Sequence, residues 1–277
     1  MIKLIAVDVD DTLVGDDLTI SQKNKDAVRQ VLERGVFLTL ATGRMHVSAL
    51  PYALELELPA DRPLISYNGA MLRRIDGELL HHQGLDVPIA LEAAALCRAR
   101  GWTLNAYFAD TLYVERMDPN VEYYVHMARV PAVVVGDLSA FISDGEKTVS
   151  KLLIVGTAEE TVDRIGLVQE VFGERAQVVQ SKPRYIELTH PQANKGLALQ
   201  RLAKLLGVAR EEVLAIGDSG NDVPMLKYAG IGAAMGGGRA NAKEAADYVA
   251  PPSGEDGVAD VLHRFVLSGQ SLQCEGP

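Results

Sequence analysis

Leu4-Ile5-Ala6-Val7-Asp8-Val9-Asp10-Asp11-Thr12-Leu13 runs a short apolar stretch, the length of a buried strand, directly into acids at Asp8 and Asp10. Side chains alternate along an extended chain, so these two carboxylates leave the strand end on the same side. Two like charges that close need a cation or a shared proton. A hard, oxygen-preferring ion such as Mg²⁺ is the simplest partner. A solvated turn after an edge strand is the alternative for the segment taken alone.

Outward from this stretch, residues 2–7 read as a first strand. Ser21 then caps a helix carrying Ala27, Val28, Val31 and Leu32, stopped at Gly35. Residues 36–41 give a second strand, 50–56 a helix, and 63–67 a third strand ending at the turn pair Asn68-Gly69. This βαβαβ progression predicts a parallel sheet with helices on both faces. The pattern changes near residue 84, where a helix over 87–100 precedes strand-like pairs at 102–108 and 111–115. A helix at 120–127, strands at 132–135, 149–155, 176–180 and 185–188, and a helix near 159–172 follow. From Lys195 the parallel-sheet pattern resumes, with a helix closed by Gly207 and strands at 213–216, 231–235 and 248–250. The expected fold class is therefore α/β: a Rossmann-like doubly wound parallel sheet core over 1–83 and 187–277, with an inserted α/β domain over 84–186.

Length and composition agree with two domains, since 277 residues exceed the usual size of one. Hydrophobic residues make up 48% and charged residues 23%, ordinary values for a soluble chain. No stretch nears the roughly 20 apolar residues that span a membrane, and no signal peptide is visible, so the expectation is a cytoplasmic protein without a membrane partner. A net charge of −10 argues against a nucleic-acid partner, which would select a basic surface. Cys97 and Cys274 lack metal-type spacing and read as incidental, and His81-His82 reads as polar linker. The Gly236-Gly237-Gly238 run reads as a turn after a strand.

Three strands end in distinctive polar residues: Asp8 and Asp10 after the first, Thr42-Gly43-Arg44 after the second, and Gly217-Asp218-Ser219-Gly220-Asn221-Asp222 after the strand at 213–216. Carboxyl ends of parallel strands share one sheet edge, where open α/β folds bind ligands, so residues distant in sequence converge. The Asp218 segment adds carboxylates at a helix start, with Pro224 in its first turn and Gly230 as its stop; helix capping alone also accounts for Asp and Asn there. Lys195, followed by Gly196 at another helix start, would place an ammonium against a phosphate or else be a surface lysine. A hydroxyl, a lysine, an amide and several acids around a metal describe phosphoryl transfer, with a carboxylate as nucleophile.

Asp8-Val9-Asp10-Asp11-Thr12-Leu13, Thr42-Gly43-Arg44, Asn194-Lys195-Gly196 and Gly217-Asp218-Ser219-Gly220-Asn221-Asp222 resemble, in order and spacing, the four motifs of the haloacid dehalogenase superfamily. The large insertion and Ser66-Tyr67-Asn68-Gly69-Ala70 resemble its Cof-type subfamily IIB of sugar-phosphate phosphatases. The resemblance covers the chain except its tail. It implies Asp8 as nucleophile and Asp10 as general acid/base. It implies Mg²⁺ held by Asp8, the Asp10 backbone carbonyl and Asp218, with Asp222 in support. Thr42, the Gly43 backbone, Lys195 and Asn221 would hold the phosphoryl group, and Asn68 would stand near the substrate entrance. Asp11 departs from the superfamily's commoner Gly.

The implied function is a Mg²⁺-dependent phosphatase acting on a small phosphorylated metabolite such as a sugar phosphate. The inserted domain would act as the cap that excludes water and selects substrate, with Tyr107, Tyr113, Glu115, Arg116, Tyr123 and Tyr124 as polar and aromatic candidates. A phosphomannomutase-like phosphomutase uses the same toolkit and remains the alternative. A receiver-type phospho-Asp signalling module uses similar acids, but it is the size of one small domain and carries its acceptor Asp away from the first acids. Oligomeric state is not encoded in any of these features.

Overall fold

A computed structural model of the chain describes residues 1–144 and 148–268. Cys274 and the polar tail from residue 269, which the sequence predicts to fray, lie outside the described residues. The first elements are β1 (Leu4–Val7), α1 (Gln22–Glu33), β2 (Phe37–Leu40), α2 (His46–Glu55), β3 (Pro63–Ser66), β4 (Met71–Arg74) and β5 (Leu79–His82). Next come α3 (Val87–Arg100), β6 (Thr103–Phe108), β7 (Thr111–Val114), α4 (Pro119–Ala128), β8 (Ala132–Val134), α5 (Leu138–Ser143), β9 (Val149–Val155), α6 (Ala158–Phe172), β10 (Gln177–Lys182) and β11 (Tyr185–Thr189). The last are α7 (Lys195–Leu206), β12 (Val213–Gly217), α8 (Val223–Tyr228), β13 (Ile231–Met235), α9 (Ala240–Ala245), β14 (Tyr248–Ala250) and α10 (Gly257–Leu262).

The chain divides into two compact units, one formed by Met1–Leu80 with the chain from Asn194 onward, the other by His81–Ala193. In the first unit an all-parallel sheet runs β14-β13-β12-β1-β2. β1 is an interior strand between β12 and β2, with Leu4 opposite Val213 on one side and Phe37 on the other. Alternation buries both faces of this strand, as a parallel sheet flanked by helices requires. Ile5 and Val7 pack with Val28 and Val31 of α1 and Val261 of α10, whereas Leu4 and Ala6 pack with Leu199 and Leu202 of α7 and Met225 of α8. Each fully buried Leu, Ile or Val side chain stabilises by about 1.5–3 kcal/mol, so β1 is anchored from both sides and its end is a rigid platform. α1 begins as its sequence predicts, with the Ser21 hydroxyl accepting from the Asn24 N–H at 3.1 Å.

The third predicted strand corrects the simple βαβαβ reading. β3 meets the parallel sheet through one parallel bridge, between Ala41 and Ile65, and through the Thr39 hydroxyl, which donates to the Pro63 carbonyl at 2.6 Å. Its ladder is antiparallel to β4, with Ile65 opposite Leu72, and β5 completes that three-stranded sheet. Past the bridge Thr42 stays tied to the β3 segment, its N–H donating to the Ile65 carbonyl at 2.8 Å and its carbonyl accepting from the Asn68 N–H at 3.0 Å.

The second unit holds a six-stranded sheet in the order β10-β11-β9-β6-β7-β8, antiparallel except for the β7–β8 pair. One face, with Leu104, Ala106, Leu152 and Ile186, packs on Ile89 and Ala93 of α3 and on Val168 and Phe172 of α6. Cys97 lies in that core, where burial pushes its thiol up to about 12 and leaves it an inert packing group. The opposite face carries a buried ion pair, Lys151 Nζ to Glu187 Oε1 at 3.3 Å. A boundary at residue 187 would cut β11, which pairs with both β9 and β10; the unit continues to Ala193. His82, read as linker, ends β5 and its Nε2 lies 3.0 Å from Ser150 Oγ. Among the described residues no helix is long and apolar enough to cross a membrane.

Candidate active site

All nine residues singled out as site candidates fall in the first unit: Asp8, Asp10, Thr42, Gly43, Asn68, Lys195, Asn221, Asp218 and Asp222. β1 delivers Asp8, whose backbone N–H continues the ladder to the Ile216 carbonyl at 2.9 Å. β12 delivers Asp218 from the neighbouring strand, and Asp222 stands at the start of α8. Carboxylate oxygens of Asp8, Asp218 and Asp222 lie within 4.8 Å of one another, and all three residues are buried.

Lys195 is the counter-charge. Its ammonium has no exposed surface and donates to Asp8 Oδ1 and Asp222 Oδ1, both at 2.6 Å. It opens α7, where the helix dipole disfavours a cation, so the two carboxylates are what hold it there. Asn194 caps that helix by accepting from the Leu197 N–H at 2.8 Å. The second oxygen of Asp222 accepts the backbone N–H groups of Asp218 and Ser219, each at 3.0 Å, which fixes the turn carrying Asp218. Thr12, to which the sequence reading gave no role, donates to Asp218 Oδ1 at 3.3 Å. Its place inside the first motif was the available signal.

Three buried carboxylates against one ammonium leave two negative charges uncompensated if all ionise. At an effective dielectric near 20, two carboxylates at about 4.8 Å repel by about 3.5 kcal/mol. Burial pushes the Asp8 carboxyl well above its ordinary value, reinforced by Asp222 and Asp218 and only partly opposed by Lys195. Burial, with Asp222 beside it, likewise pushes Asp218 up to about 6. Burial works against the Lys195 charge, but Asp222 and Asp8 more than reverse it, and its pKa rises. This excess of buried oxygen-based negative charge is what a hard divalent cation would neutralise, so the donor set fits one.

Asp8 and Asp10 each also meet a cationic side chain of their own, Lys195 on Asp8 and Arg44 on Asp10. Arg44 grips Asp10 with a two-pronged pair, Nε to Oδ2 at 2.8 Å and Nη2 to Oδ1 at 2.7 Å. Asp11 adopts φ of +59°, the left-handed region that Gly occupies at no steric cost and that Asp tolerates better than most.

Beside the acids lies a cradle of neutral donors. Thr42 is fully buried, and its hydroxyl accepts from the Arg44 N–H at 3.1 Å, which leaves its own proton to donate outward. Asn68 is held in a left-handed turn by its N–H to the Thr42 carbonyl at 3.0 Å, with φ of +53°, +56° and +98° at Tyr67, Asn68 and Gly69. Its Oδ1 accepts from Asn221 Nδ2 at 2.9 Å, and a Cβ at Gly43 would lie 2.9 Å from that same oxygen. Asn68 is therefore packed between Gly43 and Asn221.

Residues 5–262 match the haloacid dehalogenase-like hydrolase family. The chain is 31% identical over 273 residues to 5-amino-6-(5-phospho-D-ribitylamino)uracil phosphatase YcsE of Bacillus subtilis, with 96% of each chain covered. It is 28% identical over 286 residues to phosphatase YwpJ of the same organism, across 95% of this chain and 100% of the relative. A solved haloacid dehalogenase-like hydrolase from Bacteroides thetaiotaomicron has the same fold at a TM-score of 0.86 and 30% identity, over 96% of this chain and 100% of that one. A match across residues 5–262, with four distant motif segments gathered in one compact unit around buried acids, leaves no place for the receiver alternative: the chain belongs to the haloacid dehalogenase-like hydrolase family.

Proposed function

We propose that this protein is a Mg²⁺-dependent phosphatase of small phosphorylated metabolites, sugar phosphates foremost, working through an aspartyl-phosphate on Asp8. The carrying observation is the buried Asp8–Lys195–Asp222 bridge with Asp218 alongside, a set of oxygens whose excess negative charge a divalent cation would neutralise, next to a cradle of neutral donors. Two of its relatives are phosphatases by name, one of a phosphorylated ribityl compound, which supports the same class of substrate.

Asp8 would attack phosphorus while the bond to the leaving oxygen breaks and Asp10 gives that oxygen a proton. Water would then attack the same phosphorus, Asp10 would take its proton, and the bond to Asp8 would break to release inorganic phosphate. Lys195 uses two of its three N–H hydrogens on Asp8 and Asp222, which leaves one for a phosphoryl oxygen. The Thr42 hydroxyl, the Gly43 N–H and the Asn221 amide would receive the others. Mg²⁺, held by Asp8, the Asp10 carbonyl and Asp218, would supply charge neutralisation between the anionic phosphate and the Asp8 carboxylate. Asp222, whose oxygens already accept from Lys195, the Asp218 and Ser219 N–H groups and the Ser219 hydroxyl, would orient Lys195 and the Asp218 turn. The inserted unit, His81–Ala193, would act as the cap that selects the leaving group.

The test is phosphate release from a panel of sugar phosphates, nucleotides and phosphoglycolate with Mg²⁺ or EDTA, beside Asp8→Asn. Metal-dependent release lost in the variant supports the proposal. Full release by clean Asp8→Asn protein would remove the covalent route.

A further inference from the structure

We infer that Arg44 is a positioning residue for the hydrolytic half of the reaction, its guanidinium holding the Asp10 carboxylate in the plane from which it takes a proton from water. The inference rests on the phosphatase reading above and goes beyond it, since that reading gives Arg44 no part.

Arg44 spans two loops that the sequence separates by 34 positions. Its backbone belongs to the phosphate cradle: its N–H donates to Thr42 Oγ1 at 3.1 Å, and its carbonyl accepts from the Tyr67 N–H at 3.0 Å. Its side chain leaves the cradle and reaches both oxygens of Asp10 at 2.7 and 2.8 Å. The fork is itself braced, with Nη1 at 3.5 Å from Ser48 Oγ and the guanidinium carbon 5.1 Å from the centre of the Tyr52 ring. Both partners are mostly covered, at 17% and 24% side-chain exposure, so the pair is shielded from solvent competition. A planar fork on a carboxylate fixes its rotation as well as its position, which a single point charge does not. Asp10 is the group asked to orient water, and water, unlike a bound ester, has no other tether. Water attack is therefore the step most sensitive to the loss of this orientation.

The consequence is a shift in which step limits turnover. p-Nitrophenyl phosphate carries a leaving group that departs without a proton, so its transfer to Asp8 requires little of Asp10. In Arg44→Ala with Mg²⁺, p-nitrophenolate should appear in a burst approaching one per enzyme, followed by a steady rate lower by about 10- to 100-fold with KM falling in step. Arg44→Lys, which restores the charge without the fork, should recover only part of the rate and guards against a misfolded alanine variant. In an Asp10→Asn background Arg44→Ala should cost little more, because it acts through a group already removed. Wild-type kcat without a burst in both Arg44 variants, or a raised KM with kcat unchanged, would overturn the inference. Additive losses in the double variant would also overturn it. Failure of wild-type enzyme to release either product would instead bring down the phosphatase reading itself.

Discussion

Lys195 Nζ stands 2.6 Å from Asp8 Oδ1 with no surface exposed to solvent, joining residues 187 positions apart in one buried charge pair. The same ammonium also serves Asp222, so removing it strands two carboxylates at once. Breaking a buried ion pair from one side typically costs about 3–5 kcal/mol. Lys195→Met should lower stability by about that amount in urea unfolding at pH 8 with EDTA present. The loss should be smaller at pH 5, where the acids relieve themselves by taking protons.

Metal and pH should trade against each other. The carboxyls of Asp8 and Asp218 titrate above their unfolded values, Asp218 at about 6, chiefly through burial. A raised folded value means that the native protein holds protons the unfolded chain has already released, so this contribution is full at low pH and is lost as pH rises through about 6. In EDTA the melting temperature should therefore lose part of its value between pH 5 and 8. Mg²⁺ should raise it more at pH 8 than at pH 5, and calorimetry at the two values with and without metal measures the difference. An equal Mg²⁺ effect at both would show that the cation does not bind at these acids.

Gly43 has no room for a methyl group, because its Cβ would approach Asn68 Oδ1 to 2.9 Å. Gly43→Ala should push Asn68 aside and weaken its 2.9 Å hydrogen bond from Asn221. With both amides displaced from the cradle, KM and the inhibition constant for inorganic phosphate should rise together by about tenfold, near the 1.4 kcal/mol of one neutral hydrogen bond. Product-inhibition kinetics on folded variant protein would read this directly.

Asp11 sits at φ of +59° and adds repulsion to Asp218. Asp11→Gly should relieve both and stabilise the protein by up to about 1 kcal/mol, with turnover unchanged. A drop in the urea midpoint would mean that Asp11 makes a contact worth more than the strain it relieves.

The sequence made the platform legible because buried parallel strands and their capping residues follow local rules. The apolar run before Asp8, the Ser21 cap and the Gly207 stop all mark real element ends. It was less informative where geometry depends on distant partners. No local signal tells that Ile65 makes a single bridge before β3 turns to β4, or that α10 closes the sheet's far face. The paired acids are the clearest case. Their spacing predicts mutual repulsion, but two separate cations from residues 44 and 195 relieve it, and each arrives through tertiary packing alone. Asn68 is held against Gly43 and Asn221 by a run of positive φ angles that its Asn-Gly pair permits, a contact set that no local signal names.

The central claim is that phosphate passes through Asp8. Acid quenching of wild-type enzyme during turnover of a phosphate-labelled sugar phosphate, followed by borohydride reduction and peptide mass spectrometry, tests it most directly. The account predicts homoserine at residue 8, the reduction product of an aspartyl-phosphate, and none in Asp8→Asn or without Mg²⁺. Steady phosphate release with residue 8 recovered only as unmodified aspartate would contradict it.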